Sequence, residues 1–319
     1  MFSIIIPLYN KAPYVEKAIR SVVTQTYQNF ELIIIDDGSK DESYAIAKQV
    51  LCTLTPPLGG WEVVTQSNQG VSITRNNGVK LAKYDYIAFL DADDWWAPTF
   101  LEEMKALLEE FPDAGIYGSS YYKVKNGKFI PADIGIEVSF KKGYINYFRT
   151  YSSTLWMPLT SISVIIPKMI FNEMNGFNSY LKLGEDFHLW VRIASNYKVV
   201  FLNKRLSYYN QDVDVVNRAV KYKTYSPTEH MLFVNYGNLM KNIEFRFLFE
   251  KLALYALKPY FVYEINKNEV RKLLDNIKWR NHNFGNILYY RILPKKILLF
   301  WIKLRIFASN LKKCFVKNH

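Results

Sequence analysis

Three aspartates in four positions, Asp91–Ala92–Asp93–Asp94, follow directly on the apolar run YIAFL. A loop cap accounts for one of them and leaves two unexplained. Carboxylate oxygens suit hard divalent cations such as manganese or magnesium, which also bind phosphates. A cation held there would neutralise the cluster and a diphosphate leaving group together. A second pair, Asp36–Asp37, closes the apolar run ELIIID and is followed by Gly38–Ser39, where glycine allows a sharp turn. At that pair a helix cap and a ligand contact are equally good explanations. Asn68–Gln69–Gly70–Val71–Ser72 precedes Arg75 by one helical turn. In isolation it reads as a loop with an exposed arginine; the chemical alternative is a guanidinium aimed at a phosphate or a base. Gly184–Glu185–Asp186 opens an apolar helix. A helix N-terminus favours the ionised carboxylate that a general base requires, although a simple cap is the better reading without context. His188 has no second histidine at metal-ligand spacing and reads as structural.

These residues need a frame, and the first hundred positions supply one. Apolar β-branched runs at Ser3–Pro7, Glu31–Asp36, Trp61–Gln66 and Tyr86–Leu90 alternate with helical spacing over Pro13–Gln25, Asp41–Leu54, Ser72–Ala82 and from Pro98 to about Phe111. A β-α-β-α series predicts a mostly parallel sheet with helices on both faces, in which ligands bind beyond the carboxyl ends of the strands. The acidic clusters fall at those ends. Farther on the pattern predicts two short strands within Ala114–Val124, a strand at Ser161–Pro167, a helix over Glu185–Ser195 and a strand at Lys198–Leu202. From about Glu229 the chain reads as helical, with Glu229–Leu257 and Glu269–Trp279 as helices and Pro259 as an interruption.

In order and spacing, SIIIPLYNKAPYVEKAIRSVVTQTY, FELIIIDDGSKDES, NQGVSITRNNGV, YIAFLDADDWWAP and GFNSYLKLGEDFHLWVRIA resemble inverting family 2 glycosyltransferases of the bacterial surface-polysaccharide type. The resemblance spans residues 3 to about 194. It implies an α/β, GT-A nucleotide-sugar-binding fold, with a central sheet flanked by helices and a C-terminal, mainly helical extension. It also implies roles. Pro7 and Tyr9 would line the nucleotide pocket, Asp36 and Asp37 would meet the base, and Asn68 and Arg75 would flank the nucleotide. Asp91 would lie near the ribose, Asp93 would ligate a manganese or magnesium ion on the diphosphate, and Asp94 would support them. Asp186 would be the general base, with Glu185 helping to hold the acceptor. The Gln-x-x-Arg-Trp segment of processive members is absent, which favours transfer of a single sugar, with a UDP-sugar as the expected donor. Non-catalytic binding of a nucleotide sugar is the nearest rival. A dinucleotide-dependent oxidoreductase is disfavoured because Pro7–Leu8–Tyr9–Asn10 stands where a Gly-x-Gly-x-x-Gly cradle belongs.

Composition sets the remaining expectations. The chain has 319 residues, net charge +12, 16% aromatic residues and two separated cysteines, Cys52 and Cys314, which argue against a disulfide framework or structural zinc. No signal-peptide pattern and no spanning apolar stretch is evident, so a cytoplasmic protein is expected. The charge is uneven: residues 1–228 hold 24 basic and 23 acidic side chains, and residues 229–319 hold 17 and 6. A catalytic domain over 1–228 and a basic, amphipathic helical region over 229–319 follow. The stretch Pro294–Val316 places Ile297, Phe300, Leu304, Phe307, Ala308, Leu311 and Phe315 on one face. Lys295, Lys296, Lys303 and Lys313 gather opposite, flanked by Arg305 and Lys312. Such a helix is expected on an anionic membrane surface, peripheral to the inner face of the cell membrane, where a lipid-linked saccharide acceptor would be found. Packing on the body, or a homodimer interface, are its alternatives. A nucleic-acid partner is not expected, because no binding motif accompanies the charge.

Overall fold

A computed structural model describes residues 1–213 and 224–304. The chain divides into two compact units, one of Met1–Lys221 with Glu229–Met231, the other of Tyr222–Thr228 with Leu232–His319.

In the first unit the described residues form one sheet of ten strands: β1 (Phe2–Leu8), β2 (Phe30–Asp36), β3 (Trp61–Thr65), β4 (Tyr86–Phe89), β5 (Trp95–Trp96), β6 (Ala114–Lys125), β7 (Lys128–Pro131), β8 (Lys142–Ile145), β9 (Val164–Pro167) and β10 (Lys198–Asn210). The order is β3-β2-β1-β4-β9-β6-β10-β5, with β7 on β6 and β8 on β10. β3, β2, β1 and β4 run parallel, as do β6 and β10, while β9 is antiparallel to both of its neighbours. β1 and β2 are buried on both faces, which explains runs of isoleucine without alternation. Ile4, Ile6 and Leu8 join a core with α1 (Val15–Val23), α2 (Ser43–Cys52) and α4 (Phe100–Glu110). On the other face α3 (Val71–Leu81) lies so close that a Cβ on Gly78 would stand 2.5 Å from Ile5. The registers Leu8↔Asp36 and Asp36↔Thr65 bring the carboxyl ends of β1, β2 and β3 level, and Asp91 follows β4 at the same edge.

Several elements differ from the sequence expectation. Ala114–Lys125 is one strand, not two. The Gly-Ser-Ser interior that suggests a break is buried, and a Cβ on Gly118 would meet Leu159 at 2.2 Å, so small residues serve close packing there. β10 runs to Asn210 because bulges between Leu202 and Ser207 absorb the polar stretch that looked like its end. Ser161–Ser163 is a 3-10 turn, closed by a capping box of Thr160 and Ser163, and only Val164–Pro167 is strand. α5 (Tyr147–Thr154), α6 (Lys168–Glu173) and α7 (Glu185–Asn196) complete the unit.

In the second unit, the single long helix read from Glu229 is instead three 3-10 turns followed by α8 (Ile243–Ala256). Asn242 decides the start, its Oδ1 accepting from the backbone of Glu244 and Phe245. Pro259 sits in the first turn of α9 (Lys258–Val262), where a missing N–H costs nothing. α10 is Lys267–Asp275, shorter than the Glu269–Trp279 reading at its end. Residues 295–304 are helical, with Ile297, Phe300, Trp301 and Leu304 exposed. Arg305, Phe307, Ala308, Leu311, Lys312, Lys313 and Phe315 lie outside the described residues. No helix among the described residues is long and apolar enough to cross a membrane.

Gly78 supplies a test. Alanine improves helix propensity by about 1 kcal/mol, but overpacking against Ile5 costs about 1–3 kcal/mol. Gly78→Ala is expected to lower the thermal midpoint by several degrees; an unchanged or raised midpoint would show that α3 moves freely on the sheet.

Candidate active site

The carboxyl edge of the sheet carries the candidate residues, and each has a different electrostatic solution. Asp37, buried after β2, accepts hydrogen bonds from Gln66 Nε2 (2.8 Å), Gln69 N (2.8 Å) and Gly70 N (2.9 Å). Its carbonyl accepts from Asn68 Nδ2 at 3.0 Å. Gly38 turns here with φ +71°, and a Cβ would stand 3.1 Å from Asn68 N. Both residues, expected beside the nucleotide, also shape residues 66–70, the loop that launches α3. Asp36 is likewise buried and accepts from Ser39 N at 3.3 Å. Pro7 is half-buried, and Tyr9, just beyond β1, is exposed. Asn10 ties that end to the Asp36 loop through Ser39 Oγ (3.1 Å) and Lys40 N (2.7 Å).

Asp91, Asp93 and Asp94 share a loop but not a fate. Asp91 accepts from Arg75 at 2.6 Å and from Ser161 Oγ at 3.2 Å. Asp93 pairs with Lys11 Nζ at 2.6 Å. Burial raises the Asp93 carboxyl, Lys11 lowers it, Asp91 raises it, and the net direction is up. Asp94 is almost fully buried and accepts from Asn210 N at 2.7 Å, which pins the end of β10 to this loop. Burial, then Asp93 and Asp91, hold the Asp94 carboxyl well above its usual range. Among the described residues no three metal-ligating side chains converge on one point. A hard cation fits Asp93 nonetheless: it is a desolvated carboxylate beside two others, and such ions often take only one or two protein carboxylates and complete their shell with phosphate and water.

Arg75 was read as exposed or aimed at phosphate. It is buried, 3% accessible, because α3 packs its second turn against the sheet. Its Nη2 reaches Asp91 at 2.6 Å and its Nη1 reaches Glu185 at 3.1 Å. The guanidinium also lies 5.2 Å from the Phe177 ring. Burial opposes its charge, but Asp91 and Glu185 outweigh burial and hold it protonated. The two motifs that looked separate in sequence are therefore joined by one cation.

Asp186 lies in the first turn of α7, which starts from Gly184 at φ +78°. A Cβ on Gly184 would lie 2.2 Å from Met231 Sδ, so glycine suits both the left-handed turn and the close approach of Met231. Asp186 Oδ1 accepts from Phe187 N at 2.7 Å. The helix end favours the ionised form, but larger effects oppose it. Burial, then repulsion from Glu185, push its carboxyl up to about 7, against the Phe187 N–H and Arg75.

Four contributors escaped the sequence reading. Lys11 and Ser161 contact the aspartates, Asn210 fixes Asp94, and Tyr209 lies in the field of Asp94, Asp91, Asp93 and Asp186, which with burial pushes its phenol up to about 12. Of these, only Lys11 had a local signal, a cation three residues past the end of β1. Beside Asp93 opens a cleft of about 340 Å³ lined by Pro13, Tyr14, Lys17, Trp95, Phe129 and Asp212. Lys17 Nζ covers one face of Trp95 at 3.0 Å and Tyr208 stacks on the indole 5.3 Å away.

Comparison with known proteins gives this edge a context. The sequence profile described as glycosyl transferase family 2 matches residues 3–170. An uncharacterized glycosyltransferase of Rickettsia felis is 34% identical over 207 residues, 64% of this chain and 32% of that protein. The chain thus spans about a third of that relative's length. Residues 1–349 of S. aureus TarS in complex with UDP-GlcNAc superpose with a TM-score of 0.67 at 17% identity, covering 91% of this chain and 81% of that one. The mannosyltransferase PcManGT of Pyrobaculum calidifontis in complex with GDP-Man and Mn2+ gives 0.57 at 16% identity, covering 95% and 79%. The fold is thereby that of the GT-A glycosyltransferases.

Replacing Arg75 with methionine, a chain of similar length without charge, leaves two carboxylates near one another and uncompensated. Breaking such a buried pair costs about 3–5 kcal/mol. Arg75→Met is expected to lose that much in denaturant unfolding, and Arg75→Lys, which cannot fork, to recover only part of it. Wild-type stability in either variant would remove the bridge from the account.

Proposed function

We propose, for a chain that belongs to glycosyl transferase family 2, that it moves a single sugar from a nucleoside-diphosphate sugar to a hydroxyl of a saccharide acceptor, with inversion at the anomeric carbon. The observation that carries this reading is the Asp91–Arg75–Glu185 bridge. It sets a near-neutral base, Asp186, beside an aspartate cluster suited to a diphosphate and its cation. TarS and PcManGT support a nucleotide-sugar donor by analogy. Their UDP and GDP ligands differ, and a UDP-sugar is our preferred donor.

In this reading Pro7 and Tyr9 line the nucleotide pocket, and Asp36 and Asp37, with Asn68, frame the loop against which the base lies. Asp91 meets the ribose, with Arg75 behind it. Asp93 takes a manganese or magnesium ion, which supplies charge stabilisation for the departing diphosphate. Lys11 offers a second cation at the same place. The acceptor hydroxyl loses its proton to the Asp186 carboxylate, and its oxygen forms the bond to the anomeric carbon. The bond from that carbon to the diphosphate oxygen breaks, with its electron pair leaving on the nucleoside diphosphate. Glu185, held by Arg75, faces the acceptor. We further infer a lipid-linked acceptor in surface polysaccharide synthesis and a peripheral position on the inner face of the cell membrane. The basic second unit, with exposed Phe300 and Trp301 beside Lys296 and Lys303, supports this.

Calorimetry, kinetics and thermal melting test the reading. Calorimetric titration with UDP, GDP, dTDP and CMP, with and without manganese, should show one metal-strengthened ligand. Asp93→Ala should remove the metal effect, and metal dependence that survives this change would remove Asp93 from the ligand set. Asp186→Asn should lower turnover by about 10³-fold or more, while nucleotide affinity changes little. Because the base works deprotonated, kcat/KM of the wild type should fall about tenfold per pH unit below about 7. The folded-state pKa of Asp186 is raised from 3.8 to about 7, so its contribution weakens the fold progressively as pH rises between those values and the loss is complete above about 7. Asp186→Asn should therefore melt no lower than wild type at pH 8. An inactive variant that melts lower or loses nucleotide equally would contradict the base assignment.

A further inference from the structure

The second unit contains a cavity that the transfer reaction does not use. It has a volume of about 480 Å³ and is walled by α9, α10, the turn at Trp279 and the start of the 295–304 helix. That is within the range of sites that hold small ligands. Its interior is apolar: Tyr260, Val270 and Leu274 are buried, and Phe261, Trp279 and Tyr290 add rings. The two tyrosine hydroxyls are spent elsewhere. Tyr290 donates to the carbonyl of Leu254 at 2.8 Å, and Tyr260 to that of Tyr225 at 3.0 Å. Rings rather than tyrosine hydroxyls are thus left for a ligand in the interior.

The rim is basic. Lys267, Arg271, Arg291 and Lys295 stand against only Glu264 and Asp275. Glu264 is already claimed by Lys295 at 2.5 Å and Lys267 at 3.6 Å, and Asp275 by Arg271 at 3.8 Å. Arg291 packs 5.7 Å from the Trp279 ring and has no carboxylate within ion-pair distance among the described residues. The rim thus carries four basic side chains against two acidic ones, and a phosphate at this rim would offset part of that excess. Next to Lys295 the chain exposes Ile292, Ile297, Phe300, Trp301 and Leu304, a surface suited to hydrocarbon.

We propose that this cavity binds the phosphate-bearing headgroup of a single anionic lipid, with the upper part of its chains over the apolar walls. The site does not depend on the assignment of the transferase chemistry. It also differs from diffuse attraction to a charged bilayer, because particular arginines and one-to-one occupancy are required.

The test uses the full chain and dihexanoyl phosphatidylglycerol below its micelle concentration, followed by calorimetry. Saturable binding at one lipid per chain is expected. Arg271→Gln with Arg291→Gln should weaken it about tenfold or more, whereas Lys296→Gln with Lys303→Gln, which removes the same charge outside the cavity, should change it by less than about threefold. Matching thermal midpoints would show that both pairs of variants fold. Equal losses in the two pairs, non-saturable binding, or equal affinity for dihexanoyl phosphatidylcholine would overturn the proposal. Glycerol 3-phosphate binding as tightly as the lipid would also overturn it, assigning the rim to free phosphate. Nucleotide affinity at the first unit should be untouched by the cavity variants, so failure of one reading is distinguishable from failure of the other.

Discussion

The guanidinium of Arg75 is buried within hydrogen-bond reach of Asp91 and Glu185, and much of the remaining geometry follows from satisfying it. A buried cation is tolerable only when its charge is met; here both Nη atoms have partners, while the buried Nε has none among the described residues. Making those contacts requires α3 to press against the sheet, which Gly78 permits at Ile5. It requires the loop after β4 to present Asp91 inward. It also requires α7 to begin close by, which the left-handed Gly184 makes feasible. Ser161, in the 3-10 turn that precedes the reversed strand β9, then lies between the guanidinium and Asp91. Arg75 is thus a positioning residue whose partners belong to both the aspartate loop and the helix that carries Asp186.

The frame of the first unit was legible because its signals are local. A strand buried on both faces shows as an isoleucine run, and an amphipathic helix shows in the spacing of Val15, Ala18, Ile19 and Val22. The acidic clusters stood out because they end apolar runs. What could not be read was partnership at a distance. Lys11 meets Asp93 across 82 positions, and Arg75 meets Glu185 across 110. No spacing rule carries that information, so Arg75 looked exposed and Lys11 went unnoticed. Local rules also misjudged buried small residues. In β6 the Gly-Ser-Ser stretch has the composition of a turn, yet it lies beneath Leu159 and Phe201, where tertiary packing overrides propensity. The residues from Glu229 have helical composition, but Asn242 offers a better start than anything before it.

The two units handle charge by different means. In the first, the three neighbouring aspartates are each stabilised separately: Asp91 by a guanidinium and a hydroxyl, Asp93 by an ammonium, and Asp94 by a backbone N–H and a pKa held well above its usual range. In the second, cations outnumber acids, and the buried acid Glu250 is surrounded accordingly. It accepts from Arg246 at 2.9 Å, from the backbone of Lys278 at 3.2 Å, and meets His282 at 2.8 Å. Burial raises the Glu250 carboxyl, but those partners prevail and bring it below its ordinary value. Glu250, enclosed by donors, is held below its ordinary pKa, whereas Asp93 and Asp94, crowded by other carboxylates, are held above theirs.

Asp186 shows how magnitudes decide between competing expectations. A helix N-terminus stabilises a nearby anion by about 0.3–1 kcal/mol, less than one pKa unit at about 1.4 kcal/mol per unit. Burial and the repulsion of Glu185 work against it, and the carboxyl rises from 3.8 to about 7. The dipole is therefore the smaller effect, and the Phe187 backbone N–H, then Arg75, keep the rise from going further. A base that takes a proton from an alcohol gains from this arrangement. A carboxylate at its ordinary value would be almost fully ionised at neutral pH but would hold a proton poorly. One near 7 is still substantially ionised and has a stronger affinity for the proton it must receive. The same burial that makes Asp186 a costly component of the fold would thus give it the basicity that the proposed transfer needs.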